Sequence, residues 1–173
     1  IPPTATAPNG AAVSFENVSF VIPEGLATNA LAGVVPAVPP QTDGPGWDVA
    51  PEYVKFKLEN YALFGRFHEP AIYVFPAQEF AALNESAKQS LERLQAILAN
   101  PSAPIDAKAL PGIPFFNAGQ MIAAQAGRLN FNNGSGVRMI AQYGQAVMPI
   151  TSDQVFYHFQ GLTSDNNYYV IAI

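Results

Sequence analysis

Residues 154–173 read Gln-Val-Phe-Tyr-His-Phe-Gln-Gly-Leu-Thr-Ser-Asp-Asn-Asn-Tyr-Tyr-Val-Ile-Ala-Ile, and whether they form strands or a helix decides the architecture of the whole chain. Aromatic and β-branched residues flank Thr163-Ser-Asp-Asn-Asn167, a run of side chains that bond their own backbone in turns. The stretch therefore predicts a hairpin, Gln154–Leu162 against Tyr168–Ile173. Just upstream, Asn132-Asn133-Gly134-Ser135-Gly136 is a second turn signal, between Met121–Phe131 and Val137–Gln145. Two consecutive hairpins predict an antiparallel meander of about four strands.

Working towards the N-terminus, the texture becomes mixed. Residues 101–114 are Pro-rich and cross from the best helix signal, Glu85–Ala99. There Leu91, Leu94, Ile97 and Leu98 form an apolar stripe opposite Lys88, Gln89, Glu92, Arg93 and Gln95. Asn84 or Ser86 suits the N-cap, and Asn100-Pro101 ends the helix. A shorter turn at Ala77–Leu83 precedes it. Ala71–Phe75 is a uniformly apolar strand closed by Pro76, and Tyr53–Tyr61 alternates cleanly, with Val54, Phe56 and Leu58 on one side. Residues 36–51 form a Pro-rich loop around the only tryptophan, Trp47. Residues 26–35 suggest a short helix with Leu26, Ala30 and Leu31 on one side. In Val13–Ile22 the apolar phase slips at Glu16-Asn17, which a β-bulge would reconcile in a single strand.

The expected fold class is α+β. An antiparallel β-sheet of about six strands, with its C-terminal meander, packs with one main helix and one or two short ones. Residues 13–173 are expected to form a single domain behind a flexible Pro/Thr/Ala spacer at residues 1–12. That opening, Ile1-Pro-Pro-Thr-Ala-Thr-Ala-Pro-Asn-Gly10, fits a mature exported protein with its signal segment removed and equally a trimmed fragment.

Composition narrows the functional classes. Apolar residues make up 49% of the chain and charged residues 12%, the balance of a folding chain rather than a disordered one. The net charge is −5, and the eight basic residues never cluster beyond Lys55 and Lys57. Nucleic-acid binding needs clustered cations to neutralise phosphates, so no nucleic-acid partner is expected. Without cysteine there is no disulfide, thiolate ligand or Cys nucleophile. Apolar runs fall well short of the ~20 residues that span a bilayer, so no transmembrane segment is expected.

Several segments together carry a resemblance. They are Asn133-Gly-Ser-Gly-Val-Arg138, Ala141-Gln-Tyr-Gly144, Phe156–Asp165 with Tyr168-Tyr169, Trp47–Val54 and Phe67–Phe75. Over about residues 13–173 the chain resembles a family of uncharacterised exported proteins and lipoproteins, found mainly in filamentous and related bacteria. The resemblance implies an extracytoplasmic location, secreted or lipid-anchored at the cell surface, and no particular chemistry. The spacer resembles the tether that follows a lipidated cysteine, which implies a possible lipid tether upstream of residue 1. The strand order also resembles the antiparallel α/β/α sandwich of the PsbP and Mog1-like proteins.

Candidate site residues follow from residue type. His158, with Asp153 and Asp165 near in sequence and Ser135, Ser152 or Ser164 as nucleophile, is the candidate base of a hydrolase triad. No Gly-x-Ser-x-Gly elbow accompanies it, and the strand reading puts His158 on the face of Phe156 and Gln160. His68-Glu69 lacks a third metal ligand, and a local salt bridge with Arg66 suits it better. Asp43, Asp48 and Asp165 sit in oxygen-rich turns that could hold calcium, but Asp and Asn populate turns for backbone reasons too. Trp47, Tyr53, Tyr61, Tyr143, Tyr157, Tyr168 and Tyr169, with His68, could line a ligand groove, because such rings join contact area to a polar tip, although Tyr168 and Tyr169 point to opposite faces of a strand. Core packing is the competing role for them.

The expectation is a non-enzymatic extracytoplasmic binding or interaction domain without a cofactor, its partner an envelope protein or a small ligand. A hydrolase using His158 or a carboxylate pair is the alternative. A third is a structural component of a cell-surface assembly, joined through a strand edge or an aromatic patch.

Overall fold

A computed structural model describes residues 10–63 and 68–173. Its elements are β1 (Gly10–Phe15), β2 (Val18–Pro23), β3 (Asn29–Val35), β4 (Tyr53–Glu59), β5 (Ala71–Pro76), α1 (Ala77–Leu83), α2 (Glu85–Ala99), a one-turn helix at Ala107–Ala109, β6 (Gly119–Phe131), β7 (Gly134–Gly144), β8 (Phe156–Thr163) and β9 (Tyr168–Ala172). Seven strands form one sheet in the order β3-β4-β5-β9-β8-β7-β6, and β1 with β2 makes a separate ribbon. Every pairing is antiparallel. The last strand in sequence, β9, occupies the middle of the large sheet.

The α+β class and the C-terminal meander are as expected, but the strands outnumber the expected six. Two local misreadings account for two of the additional strands. Val13–Ile22 is not one bulged strand. It is the β1–β2 hairpin, turning at Glu16-Asn17 with Glu16 in the left-handed region at φ 51. A two-residue turn pairs Phe15 with Val18 and Val13 with Phe20, so the phase slip puts both apolar sets on one face. Residues 29–35, read as part of a helix, are strand β3. The seven-residue ladder from Asn29↔Glu59 to Val35↔Tyr53 outweighs the mild helix preference of Ala and Leu. Residues 1–9 of the expected spacer lie outside the described residues, and Gly10–Ala12 belong to β1.

Helix α2 begins and ends where its sequence signals stand. Asn84 accepts a hydrogen bond from Ala87 N at 3.0 Å, closing the N-terminus, and its side-chain amide donates to Val49 O at 2.9 Å. One residue thus caps the helix and ties down the loop around Trp47. Ala87, Leu91, Leu94 and Ile97 are buried against the sheet beside Phe75, Phe80, Val137, Met139, Tyr169 and Ile171. The crossing segment after α2 is held by side chains from beneath it. Ser90 Oγ and Gln160 Nε2 both donate to Gly112 O, and Ile113 N donates to the Tyr143 hydroxyl.

The two edges of the sheet differ. Strand β6 is interrupted by register shifts at Gln120/Ile122 and Ala124/Gly127, with Gln125 at φ 56, devices that spoil pairing with another strand. Strand β3 has no such interruption, no charge and no proline, and its outer side has no ladder partner among the described residues. No helix among them is long and apolar enough to cross a membrane.

Candidate functional site

Alternation along the strands gives the sheet two faces. On β5, Ala71, Tyr73 and Phe75 point to the helices, leaving Ile72 and Val74 on the other side. On β9, Tyr169 and Ile171 belong with the helices, and Tyr168, Val170 and Ala172 with the opposite face. The β1–β2 hairpin arches over that second face. Behind its turn it rests on Phe56, whose ring meets Phe20 at 5.1 Å and Phe15 at 6.3 Å, both edge to face. Its tip is held by Asn17 Nδ2 donating to the Tyr168 hydroxyl at 3.1 Å.

Between these two attachments lies a cleft of about 650 Å³. That volume falls within the roughly 300–1,000 Å³ usual for small-molecule sites. Ile72, Val74, Val170 and Ala172 line it from the sheet, and Phe20 lines it from the hairpin. At one end Phe131 and Phe159 meet edge to face at 6.1 Å. The glycines of β7 and β8 leave room for these rings. A Cβ on Gly136 would lie 2.6 Å from the Phe159 ring, and one on Gly161 would lie 2.7 Å from it and 2.9 Å from the Phe131 ring. Amides and hydroxyls complete the lining: Asn17, Asn132, Asn133, Thr163 and Tyr168, with the Asp165 carboxylate.

The histidines stand elsewhere. His158 is fully buried on the helix face, as the strand parity predicts. Its Nε2 is 2.8 Å from Gln160 Nε2. The Gln160 amide is oriented by donating to Gly112 O at 2.8 Å and by accepting from the Tyr169 hydroxyl. The amide nitrogen can only donate to the ring, so Nε2 is the unprotonated acceptor and the proton sits on Nδ1. That Nδ1 finds no hydrogen-bond partner among the described residues. Burial, with a smaller push from His68, lowers the His158 pKa to about 3. No hydrogen bond joins His158 to Ser135, Ser152, Ser164, Asp153 or Asp165, so the arrangement of a hydrolase triad is not assembled around it.

His68 packs edge to face on Phe156 at 4.3 Å, and burial lowers its pKa to about 4 against an opposing backbone hydrogen bond at Ile173. Arg66, its expected neighbour, lies outside the described residues. Glu69 pairs with Lys57 and, at 3.3 Å, with Lys55. His68 and Tyr157 do share a smaller cavity of about 210 Å³, together with Tyr61 and Ile140, and the Tyr157 hydroxyl accepts from Arg138 at 3.0 Å.

The other expected ligand residues do not converge. Tyr143 is buried, its hydroxyl accepting from Ile113 N and donating to Gln120 at 2.8 Å. Tyr53 packs against Phe75 on the helix face, with ring centroids 4.4 Å apart and the planes tilted by 37°. Trp47 lies partly exposed beside the N-terminus of α2, its carbonyl 3.5 Å from the Asn84 amide. Among the calcium candidates, Asp43 and Asp48 lie in the loop between β3 and β4. Asp165 Oδ1 accepts from Thr163 Oγ1 at 2.6 Å and Asn167 N at 3.0 Å, and Oδ2 from Asn167 Nδ2 at 2.7 Å. These bonds hold its pKa below the ordinary carboxylate value. No group of three or more metal-ligating side chains occurs among the described residues.

Of the candidate site residues singled out in the sequence, Asp165 and Tyr168 reach the large cleft. A signal for that cleft existed, however. Ala71–Phe75 and Tyr168–Ile173 are apolar at both parities, the mark of strands covered on both faces, although the helices supply cover for only one. Compared with protein-family models, curated proteins and solved structures, the chain matches none.

Proposed function

We propose that the chain is a non-enzymatic binding domain acting outside the cytoplasm, and that it takes a small, largely apolar ligand between the β1–β2 hairpin and the sheet. The observation that carries this reading is the cleft itself: about 650 Å³, walled by aliphatic and aromatic side chains, with polar groups converging on it. The extracytoplasmic location rests on the resemblance to exported proteins. A thermal-shift screen against sugars, metals and lipids tests the binding reading, because a ligand of the native state raises its melting temperature by mass action. Ala172→Phe is the paired control, since its ring would occupy the cleft between Ile72 and Phe159. Stabilisation of the wild type and not of this variant is expected. An equal response from both would place binding elsewhere.

A second reading, membership of a surface assembly, is favoured by the uncharged outer side of β3. Strand addition there would extend the sheet. A Leu31→Lys substitution is expected to abolish any self-association seen by light scattering, and an unchanged association would exclude that edge.

A further inference from the structure

We infer that the cleft selects an uncharged amphiphile, an apolar body with a hydroxyl or amide head, over the same body carrying a carboxylate. The inference rests on the binding reading above and names its ligand class. Its basis is the charge census of the lining, which contains no Lys, Arg or His and a single carboxylate, Asp165. Both Asp165 oxygens are already engaged by Thr163 and Asn167, so the carboxylate stays ionised and has little capacity left for a ligand. The cation nearest in sheet register, Arg138, pairs with Phe159 on the side away from Ala172, and its guanidinium donates to Tyr157. A carboxylate head entering the cleft would lose water beside Asp165 and find no counter-charge, the arrangement that costs most in a partly buried site.

The groups left free are neutral. The side-chain amides of Asn132 and Asn133 make no hydrogen bond to another described residue, so each retains donors and an acceptor. The Tyr168 hydroxyl accepts from Asn17 and keeps its own proton for an acceptor. A hydroxyl or amide head both gives and takes hydrogen bonds, and this set complements it. An ammonium head only donates. It would give up a strong hydration shell for amides whose donors it cannot use.

The test compares three probes sharing one dodecyl body: glycerol monododecanoate, dodecanoate and dodecylamine. Each is titrated at neutral pH below its micelle threshold and followed by calorimetry and by amide chemical shifts. The expected result is that the glycerol ester binds at least about tenfold more tightly than dodecanoate and more tightly than the amine. Asn133→Lys, which places a cation at the polar end, is expected to shift the preference towards dodecanoate by about tenfold. Dodecanoate or the amine binding wild type as tightly as the ester would overturn the selectivity while leaving the cleft as a binding site. So would an Asn133→Lys variant, folded by its amide spectrum, with unchanged preference. Absence of binding by all three, or binding that survives Ala172→Phe, would overturn the cleft reading and the selectivity with it.

Discussion

One face of the sheet is filled, and the other is bridged. On the helix side Phe75 stacks on Phe80 at 4.2 Å, α2 contributes four buried apolar side chains, and even the polar groups are tied into a chain running from Ser90 through Gly112 and Gln160 to His158 and Tyr169. On the other side a two-stranded ribbon stands on Phe56 and touches down again at Tyr168, leaving space between. An isolated two-stranded hairpin is marginal in water, so this cover depends on its two attachments, whereas the helices share a continuous core. The same strands thus carry stability on one side and space for a ligand on the other. Alternation allows this because adjacent residues answer to different environments.

The sharpest way to test the contrast is to empty the filled side. Phe80→Ala removes a side chain with no exposed surface and is expected to cost about 3–5 kcal/mol, read as a lower denaturation midpoint. A cost near zero would mean that the helix layer is not the stabilising one. Next in size is the pH response of the same side. Unfolded histidines titrate near 6.5, whereas His158 and His68 are lowered to about 3 and about 4. Between those values the unfolded chain binds more protons, so stability is full above about pH 6.5 and falls as pH drops towards 4. The loss is expected to reach on the order of a few kcal/mol, most of it from fully buried His158, and His158→Gln should flatten the slope. An unchanged slope would assign it to other groups.

On the bridged side smaller costs are expected. Gly136→Ala presses a methyl group into the Gln160 carbonyl and the Phe159 ring, at roughly 1–3 kcal/mol, with the Phe159 ring resonances shifted by NMR. Smallest is Asn17→Ala, which frees the hairpin tip from Tyr168 at about 0.5–1 kcal/mol. Its distinguishing readout is faster hydrogen exchange confined to β1 and β2. Exchange rising equally across β8 and β9 would show that the ribbon belongs to the core after all.

What the sequence disclosed follows the range of the forces involved. Helix α2 was legible from residue 84 to residue 100 because its cap, its apolar stripe and its Asn-Pro stop are local. The hairpins at Asn132-Asn133 and around Asp165 were legible for the same reason. Strand β3 was not, since its conformation is imposed by Phe56 and its neighbours across a ladder rather than by Ala30, Leu31 and Ala32 themselves. The cleft was least legible. Ile72 meets Ala172 only through the pairing of strands a hundred residues apart, Val74 and Val170 read as ordinary core, and Asn132 and Asn133 read as ordinary turn. His158 was placed on the correct face, and its burial follows from sharing that face with Phe156 and Gln160.

The central position of β9 has a consequence for how the chain acquires its shape. During synthesis β3, β4 and β5 emerge first and β6, β7 and β8 later. Each set makes a three-stranded half-sheet with one inner border open until β9 arrives and pairs with Phe75 on one side and Leu162 on the other. Ribosome-bound chains lacking β9 are therefore expected to remain protease-sensitive and chaperone-dependent. The final strand acts as the keystone, and cooperative closure waits for it.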